Sequence, residues 1–352
     1  MPLIRSTKVR SINPNKYNLS GFRVLITGGE TVLGSSLAHR YLSLGADIVY
    51  LVVQDLDQGE QIKATILGDE EITRRNPGCD INLYGIDPSN LDSIKTFCDQ
   101  FLSDVNGLHI AVLGAEANLS SFSKTVNGLE ESFQVNVVAN AILSNYLVPI
   151  LKANCPSKRN ITEELSKKLP KNSLYQTLPS HLTWVSSESH KRSKLSDGKA
   201  YIPTSNSVFE VFNDPDNLPG ELYEASKFVA MAYSLELARR LGDEKLVINS
   251  ASPGEIKLGT ETETTVSIPF YQRPFRAILR YIRERKPSTR AAAVIWATLC
   301  GTEGNGKSWE NGAVTDPAVY LKSVDGKQFQ LQIWDQMRGW VHRFNRDIPI
   351  IG

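Results

Sequence analysis

The chain has 352 residues, of which 41% are hydrophobic and 22% are charged. This composition predicts a globular protein with a large buried core and excludes an intrinsically disordered chain. Because 39 Lys and Arg residues nearly balance 38 Asp and Glu residues, and no block of like charge is present, neither nucleic acid nor an anionic membrane is expected as a partner.

The first strand and helix follow a polar arm over residues 1–20. Residues 22–27 are apolar enough to form a buried strand, which is predicted to end at Gly28. In the next segment, apolar residues recur at spacings of three and four from Leu33 to Leu44. This spacing predicts an amphipathic helix that lies on a sheet.

The same alternation of strand and helix continues along the chain. Further strands are predicted at 46–53, 81–86, 108–115, 181–186 and 245–251, and further helices at 57–67, 90–102, 130–152 and 222–241. Near-continuous apolar strands between amphipathic helices require a parallel sheet that is covered on both faces. The sequence therefore predicts an α/β fold, a Rossmann-type doubly wound parallel sheet, as a single domain over residues 21–345.

Three segments interrupt this alternation. Polar insertions occupy about 153–180 and 188–220, and loops of this length are usually functional or mobile. Residues 255–288 combine aromatic residues with many arginines, which fits either a lid over a substrate or a surface helix with one buried face. Beyond them we predict a helix at 289–300, an edge strand near 313–321 and a tryptophan-rich end.

The turn from Thr27 to Gly34 joins the first strand to its helix. In a parallel sheet, a dinucleotide pyrophosphate meets backbone N–H groups and the positive end of a helix at this point. The alternative is a strand-to-helix turn without a ligand. Asp87 follows the third predicted strand and Gly114 ends the fourth, so both are expected at the same carboxyl edge of the sheet.

Tyr223 and Lys227 are four residues apart at the start of a predicted helix, so the phenol and the ammonium lie on one face. A neighbouring cation lowers the pKa of a tyrosine, which can then act as general acid or base for a carbonyl/alcohol pair. Ser187 follows the strand at 181–186, where its hydroxyl would hold the substrate oxygen. A solvated helix face is the alternative for the Tyr/Lys pair alone, but the surrounding motifs favour catalysis.

Together these motifs resemble the short-chain dehydrogenase/reductase superfamily over residues 20–340, with fungal retinol-dehydrogenase-like members as the closer likeness. The matching positions are the turn from Thr27 to Gly34, Asp87 at the adenine contact, Gly114-Ala115-Glu116 at the Asn-Ala-Gly strand end, Asn136, Ser187, Tyr223 and Lys227 as the catalytic tetrad, and Pro253-Gly254 after the sixth strand. The resemblance implies an NAD(P)(H)-dependent oxidoreductase, placed in secondary metabolism.

The resemblance also implies a role for each residue. Tyr223 would exchange a proton with the substrate oxygen as a hydride passes to or from the nicotinamide, and Ser187 would donate a hydrogen bond to that oxygen. Lys227 would lower the pKa of Tyr223 and bind the nicotinamide ribose, while Asn136 would position a water that returns the proton to Lys227. The residues implied to contact the cofactor are Gly28, Leu33, Gly34, Gln54, Asp87, Gly114, Tyr223, Lys227, Pro253, Gly254 and Ile256.

Several positions depart from the family pattern. Val32 replaces the middle glycine of the turn, where backbone usually approaches the pyrophosphate. Gly114 and Glu116 replace Asn and Gly at the strand end, which removes a side-chain hydrogen bond and adds a carboxylate. Gln54 occupies the position at which the family has an acidic residue that selects NAD or an arginine that selects NADP. NADP(H) is preferred over NAD(H) here because the closer relatives favour it.

Three functions compete. The first is an NADP(H)-dependent carbonyl reductase or alcohol dehydrogenase, with a fairly large, apolar small-molecule substrate suggested by the insertions. The second is a non-redox isomerase, dehydratase or cyclase that keeps the tetrad for acid–base work. The third is a scaffold with a vestigial site, and retention of all four tetrad residues argues against it.

The remaining expectations concern partners and location. The resemblance implies a homodimer or homotetramer formed through the helices that carry Asn136 and Tyr223. No segment supplies the roughly 20 apolar residues of a membrane span, and residues 1–20 lack the apolar stretch of a signal peptide, so a cytoplasmic protein is expected. The four cysteines are too far apart for a metal site, and we expect reduced thiols and no metal.

Overall fold

The computed structural model describes residues 9, 12–119, 121–159, 162, 166–167, 169–197, 207–243, 245–254, 289–344 and 351. The strands within these residues are β1 (Arg23–Thr27), β2 (Ile48–Val53), β3 (Asp80–Gly85), β4 (Ile110–Leu113), β5 (Ser180–Val185), β6 (Leu246–Ser252), β7 (Ser308–Glu310) and β8 (Ala313–Thr315). They form one sheet in the order β3-β2-β1-β4-β5-β6-β7-β8, and neighbouring strands are parallel except for β7 and β8. The predicted Rossmann-type α/β fold is confirmed.

Helices cover both faces of this sheet. They are α1 (Val32–Ser43), α2 (Leu56–Leu67), α3 (Glu70–Arg75), α4 (Leu91–Asp104), α5 (Glu131–Ala153), α6 (Val208–Asn213), α7 (Leu222–Leu241), α8 (Thr289–Thr298), α9 (Val319–Lys322) and α10 (Val324–Phe344). Side-chain caps define where several begin, since Asp55 and Asn90 accept N–H groups in the first turns of α2 and α4. Helix α5 contains a π turn at Gln134–Ala139.

The strand order reverses beside β1, and this reversal positions the site. Strands β2 and β3 extend from one side of β1, while β4, β5 and β6 follow from the other side. The connections therefore run in opposite directions and leave a crevice at the carboxyl ends of β1 and β4. Thr27, at the end of β1, lies in register with Val52 of β2 and Leu113 of β4.

The core has two layers because successive side chains of a strand point to opposite faces of the sheet. In β1, Leu25 packs in the cluster that includes α4, α5 and α7. Val24 and Ile26 pack in the cluster that includes α1, α2 and α8. Strand β4 is buried along its whole length, as expected for a central parallel strand.

The C-terminal region differs from the sequence-based prediction. The edge strand expected near 313–321 is limited to β8, because α9 begins at Val319. The tryptophan-rich end forms α10, which packs against α7, and Trp334 stacks on Tyr233 with ring centroids 5.3 Å apart. The sequence analysis also does not predict α3, α6 or β7. Residues 255–288, for which a lid and a surface helix are the two alternatives, lie outside the described residues.

Helices α5 and α7 are buried on nearly all sides. Every residue from Ser132 to Val148 is buried, and between Ala225 and Ala238 only Leu235 is partly exposed. By length and composition α5 is apolar enough to cross a membrane, but 89% of its most apolar window is buried inside the protein, as in a core helix. The dimer or tetramer that the resemblance implies through these helices stays a prediction.

Candidate active site

The turn after β1 depends on two glycines. Gly28 has a φ of 71°, which favours glycine, and a Cβ there would lie 2.9 Å from the Gly114 carbonyl oxygen. A Cβ at Gly34 would overlap the carbonyl oxygen of Gly28. Helix α1 then starts at Val32, and the Thr31 hydroxyl accepts the Gly34 N–H at 3.0 Å. The turn thus brings the positive end of α1 to the carboxyl edge of β1.

Three further side chains shape this turn. Val32 is 37% exposed at the first helical position, whereas Leu33 packs, partly buried, against the apolar cluster of the α1 layer. The Glu30 carboxyl lies beside the backbone N–H of Gln54, just beyond β2. Burial raises the pKa of Glu30 and outweighs the lowering effect of the nearby N–H groups. Among the described residues, the buried Glu30 Oε2 atom has no hydrogen-bond partner.

A side chain of β1 holds the end of β4. The Thr27 hydroxyl accepts the N–H groups of Gly114 and Ala115 at 2.9 and 3.2 Å. Thr27 is 0% exposed, so this link is shielded from water. The link uses the backbone of residues 114 and 115, so it holds the strand end without a side chain at position 114.

The substitution Thr27→Val is expected to lower the free energy of unfolding by about 1–3 kcal/mol, because it removes the common acceptor of two N–H groups. Thr27→Ser keeps the hydroxyl and serves as the matched control, with a smaller expected loss. Urea unfolding followed by circular dichroism measures both changes. Equal losses in the two variants would show that the hydroxyl does not hold the strand end.

Asn136 lies in the π turn of α5 and is 1% exposed. Its side-chain oxygen accepts the Ala117 N–H at 2.9 Å. Its amide nitrogen donates to the Ala117 carbonyl oxygen at 2.9 Å and to Ser226 Oγ at 2.8 Å. Asn136 therefore fixes the segment after β4 to α7, while the water that the resemblance assigns to it stays a prediction.

Helix α7 carries Tyr223 and Lys227 one turn apart, and β5 leads to Ser187. The Lys227 Nζ atom lies 5.6 Å from the centre of the Tyr223 ring, and Lys227 is 3% exposed. Ser187 begins the 3₁₀ turn Glu188–Lys191 by accepting the Ser189 N–H at 3.2 Å. Its hydroxyl donates to Ser189 Oγ at 3.1 Å and lies close enough to the Tyr223 hydroxyl to lower the pKa of Tyr223. The structure therefore brings Ser187, Tyr223 and Lys227 together at the carboxyl edge of the sheet.

Glu116 joins this cluster, although the sequence analysis notes it only as a departure from the family pattern. Its Oε2 atom lies 2.9 Å from Lys227 Nζ and accepts the Tyr223 O–H at 3.2 Å. The Lys227 ammonium holds the pKa of Glu116 below its usual value, against the effect of burial. Burial alone would lower the pKa of Lys227, but Glu116 and Tyr223 raise it, and the net change is an increase. The two residues form a stable ion pair.

The pKa of Tyr223 differs from the sequence-based expectation. Burial raises this pKa, Lys227 lowers it, Glu116 raises it again, and the net change is an increase. The expected lowering by Lys227 is therefore present, but it is outweighed by burial and by a carboxylate that arrives from another part of the chain. Tyr223 is a protonated phenol at neutral pH in this arrangement.

The remaining residues implied to contact a cofactor follow strands β3 and β6. Asp87 is exposed, and its Oδ1 atom accepts the N–H and O–H of Ser89 at 2.9 and 2.7 Å. Pro253 and Gly254 follow β6, and Gly254 has a φ of 84°. Ile256 lies outside the described residues. Within the part of the chain that the structure describes, no His, Cys, Asp and Glu side chains are grouped to hold a metal ion.

A cleft of about 360 Å³ opens beside Tyr223. Its walls come from the segment after β4 and from the end of the insertion at 188–220, which sequence reasoning could not place. The apolar part of the wall is formed by Leu119, Phe122, Pro215, Leu218, Pro219 and Leu222. Tyr223 therefore borders a space of the size of a small-molecule site.

Comparisons with known proteins identify the family. A scan against models of protein families finds no match for the chain. A short chain dehydrogenase of Arthrobotrys oligospora is 33% identical over 323 residues, which are 92% of this chain and 92% of the relative. The chain belongs to the short-chain dehydrogenase/reductase family. It is therefore an oxidoreductase of this family, as the resemblance implies.

Further proteins are similar to this chain over most of their length. A short chain dehydrogenase of Penicillium terrestre is 24% identical over 324 residues, 92% of each chain. An uncharacterized protein from Mycobacterium Paratuberculosis has a TM-score of 0.60 at 17% identity, with 94% of this chain and 97% of that chain covered. The L-sorbose reductase from Gluconobacter frateurii, complexed with NADPH and L-sorbose, has a TM-score of 0.52 at 14% identity, with 83% and 95% covered. These two structures share the fold.

Proposed function

We propose that this oxidoreductase is a nicotinamide-nucleotide-dependent carbonyl reductase or alcohol dehydrogenase acting on a fairly large, apolar small molecule. The observation that carries the proposal is the contact of Tyr223 with Ser187 and Lys227 beside the 360 Å³ cleft. A phenol in this position can exchange a proton with a carbonyl or alcohol oxygen. Apolar side chains form part of the cleft wall, together with Asn118, Ser121 and Glu224, and the long insertions motivate the size of the substrate.

The turn after β1 fits a dinucleotide. Neither Gly28 nor Gly34 can carry a side chain without overlap, and the positive end of α1 suits a pyrophosphate. The unpartnered Glu30 Oε2 atom suits a ribose hydroxyl donor. The residues that would hold the nucleotide are 28–34, Gln54, Asp87, Gly114, Pro253 and Gly254. When bound, a nicotinamide nucleotide supplies the hydride donor or acceptor.

Residues of the chain transfer the proton and orient the substrate oxygen. Tyr223 gives a proton to a carbonyl oxygen or removes one from an alcohol. Ser187 donates a hydrogen bond to the same oxygen and orients it. Lys227 supplies the buried positive charge that stabilises negative charge on Tyr223, and Asn136 fixes the segment that borders this charge.

A panel of ketones and secondary alcohols tests this proposal. Members with apolar substituents of increasing size are mixed with reduced or oxidised NAD and NADP, and the nicotinamide absorbance is followed. We expect turnover that improves with substituent size until the cleft is filled. No turnover across the panel, from protein that binds the nucleotide, would contradict the redox function.

The choice of nucleotide depends on the charge near Gln54. The resemblance favours NADP(H), and the L-sorbose reductase that shares the fold is described with NADPH. In this chain, however, Glu30 lies beside Gln54 with Asp55 close enough to raise its pKa, and no basic side chain acts on Glu30 among the described residues. A 2′-phosphate would be repelled there, so on local charge we expect NADH to bind more tightly than NADPH.

The substitution Glu30→Gln is expected to tighten NADPH binding about fivefold, which corresponds to about 1 kcal/mol of relieved repulsion. NADH affinity should stay the same or fall, since the ribose hydroxyls lose a charged acceptor. Fluorescence titrations of both nucleotides into the same preparation measure the ratio directly. An unchanged ratio of the NADPH and NADH dissociation constants would show that Glu30 does not lie near the 2′ position of the adenine ribose.

A second candidate is a non-redox isomerase, dehydratase or cyclase, and Glu116 is the observation that favours it. A carboxylate that accepts the O–H of Tyr223 forms an acid–base pair able to move protons without a hydride. Mass spectrometry of the products distinguishes the two candidates. Redox chemistry changes the mass by two hydrogens, whereas an isomerase leaves it unchanged and a dehydratase removes water.

The proposal has three wider parts. They are a polar arm at residues 1–20 followed by one domain over 21–345, a cytoplasmic location, and a role in secondary metabolism. The single sheet that spans β1 to β8 supports the domain assignment. The similar fungal proteins support a fungal pathway of small-molecule synthesis.

A further inference from the structure

We infer that Glu116 is the proton acceptor of Tyr223, and that the two residues form a relay between a substrate hydroxyl and solvent during alcohol oxidation. This inference rests on the proposed function, because it concerns the proton of the same reaction. It assigns a role to a residue that stands where the family pattern has glycine.

The position of Glu116 is fixed by its neighbours in the chain. Gly114 and Ala115 are tied to Thr27, and Ala117 is held on both its N–H and its carbonyl by Asn136. The residue between these anchors therefore has little freedom in its backbone. Its carboxylate reaches both Lys227 and Tyr223 with one oxygen atom, Oε2.

The hydrogen bonds set the order in which the residues of the relay pass the proton. The Tyr223 O–H donates to Glu116, so the Tyr223 oxygen is left to accept from Ser187 or from a substrate hydroxyl. A proton can then move from the substrate to Tyr223 while the Tyr223 proton moves to Glu116. Glu116 has 34% of its side chain exposed, whereas Lys227 has 3%, so the carboxylate is the member that can release the proton to water.

The charges around Glu116 come from one helix. Among the described residues, Lys227 and Tyr223 of α7 are the titratable groups that act on Glu116. Lys227 and Glu116 are the charged groups that act on Tyr223, together with the Ser187 hydroxyl from the end of β5. The ammonium keeps Glu116 ionised, so a proton that reaches the carboxylate is held only briefly before it passes to water, and Glu116 in turn opposes the effect of the ammonium on Tyr223.

The proposed step balances in atoms and electrons. A secondary alcohol loses the hydride of its C–H bond to an oxidised nicotinamide nucleotide, and its carbon and oxygen form the carbonyl double bond. The hydroxyl proton passes to the Tyr223 oxygen as the Tyr223 proton passes to Glu116 Oε2. Release of that proton to water restores the carboxylate, and the products are a ketone, a reduced nucleotide and one proton.

The first test needs neither nucleotide nor substrate. The full chain is labelled with carbon-13 at tyrosine Cζ, and the Tyr223 resonance is assigned by its loss in Tyr223→Phe. In Glu116→Gln the carboxylate charge is gone, so Lys227 acts on Tyr223 unopposed and the titration of Tyr223 should move to lower pH. Glu60→Gln, an exposed carboxyl on α2, is the matched control and should leave that titration unchanged.

The second test is the pH profile of alcohol oxidation. The native protein should keep its rate down to the pH at which Glu116 becomes protonated, below the usual range of a glutamate. In Glu116→Gln the rate at neutral pH should fall about a hundredfold and recover as pH rises, because Tyr223 must then lose its own proton to solvent. Glu116→Asp keeps the charge and should restore part of the rate at neutral pH.

Two results would overturn the inference. One is an unchanged Tyr223 titration in a Glu116→Gln protein whose circular dichroism matches that of the native protein. The other is a Glu116→Gln variant whose oxidation rate and pH profile match the native ones. Failure of the proposed function is seen separately, because the Tyr223 titration is read in protein that has met no nucleotide.

Discussion

Replacing Tyr223 by phenylalanine is expected to lower kcat by a factor of about 10²–10⁴, the usual contribution of a general acid or base. Only the hydroxyl is lost, and this hydroxyl is the atom that contacts both Ser187 and Glu116. The ring remains to fill its place beside the cleft. Since the phenol serves the proton, nucleotide affinity should change little.

The matched control is Tyr233→Phe on the same helix. Tyr233 is 3% exposed and stacks on Trp334, away from the cluster, so its variant should keep native kcat and KM. Steady-state rates and nucleotide titrations of the three proteins give the comparison. A Tyr223→Phe protein that keeps most of its rate would show that another group carries the proton.

The substitution Trp334→Ala is expected to lower the free energy of unfolding by about 3–5 kcal/mol. Trp334 is 1% exposed, it stacks on Tyr233, and the Arg240 guanidinium lies 5.0 Å from its ring centre. Removing it opens a large cavity between α10 and α7. Helix α7 carries Tyr223 and Lys227, so activity should also become more sensitive to temperature.

Val324→Ala on the same helix is the control, because Val324 is 83% exposed and its loss removes little buried surface. We expect its effect to stay within about 0.5 kcal/mol. Guanidinium unfolding followed by tryptophan fluorescence and circular dichroism measures both variants. Similar stabilities for the two would mean that α10 is not part of the core.

The central sheet could be predicted from the sequence because its strands are apolar nearly throughout. The residues of β4, for example, are buried on both faces of the sheet. An apolar run of this kind between two amphipathic helices predicts a central strand of a parallel sheet. The end of the chain lacks such a signal. In α10 the buried aromatic residues alternate with Gln, Asp and Arg, and β7 and β8 have three residues each.

The sequence predicts which residues form the site, but it does not predict the direction in which the pKa of Tyr223 is shifted. Tyr223 and Lys227 are four residues apart, so their contact follows from helical geometry. Glu116 is 107 residues from Tyr223 and lies beside it because the segment after β4 is tied through Asn136 to α7. The sequence therefore indicates the cation that lowers the pKa of Tyr223, but it does not reveal the carboxylate that raises it.

The link between Thr27 and Gly114 has the same origin. The sequence shows that an asparagine is missing at position 114, and the expected consequence is a weaker strand end. Thr27, 87 residues earlier, accepts the backbone N–H of Gly114, and this contact becomes visible only from the register of β1 and β4. The strand end is therefore held by a hydrogen bond that does not depend on the side chain at position 114.

The central claim is that Tyr223 and Lys227 work beside a bound nicotinamide nucleotide. The most direct measurement is a fluorescence titration of NADH and of NADPH into the native protein and into Tyr223→Phe. We expect a saturable signal with at least one nucleotide, with nearly equal dissociation constants for the two proteins. If neither nucleotide gives saturable binding up to millimolar concentration in the native protein, the redox account is wrong.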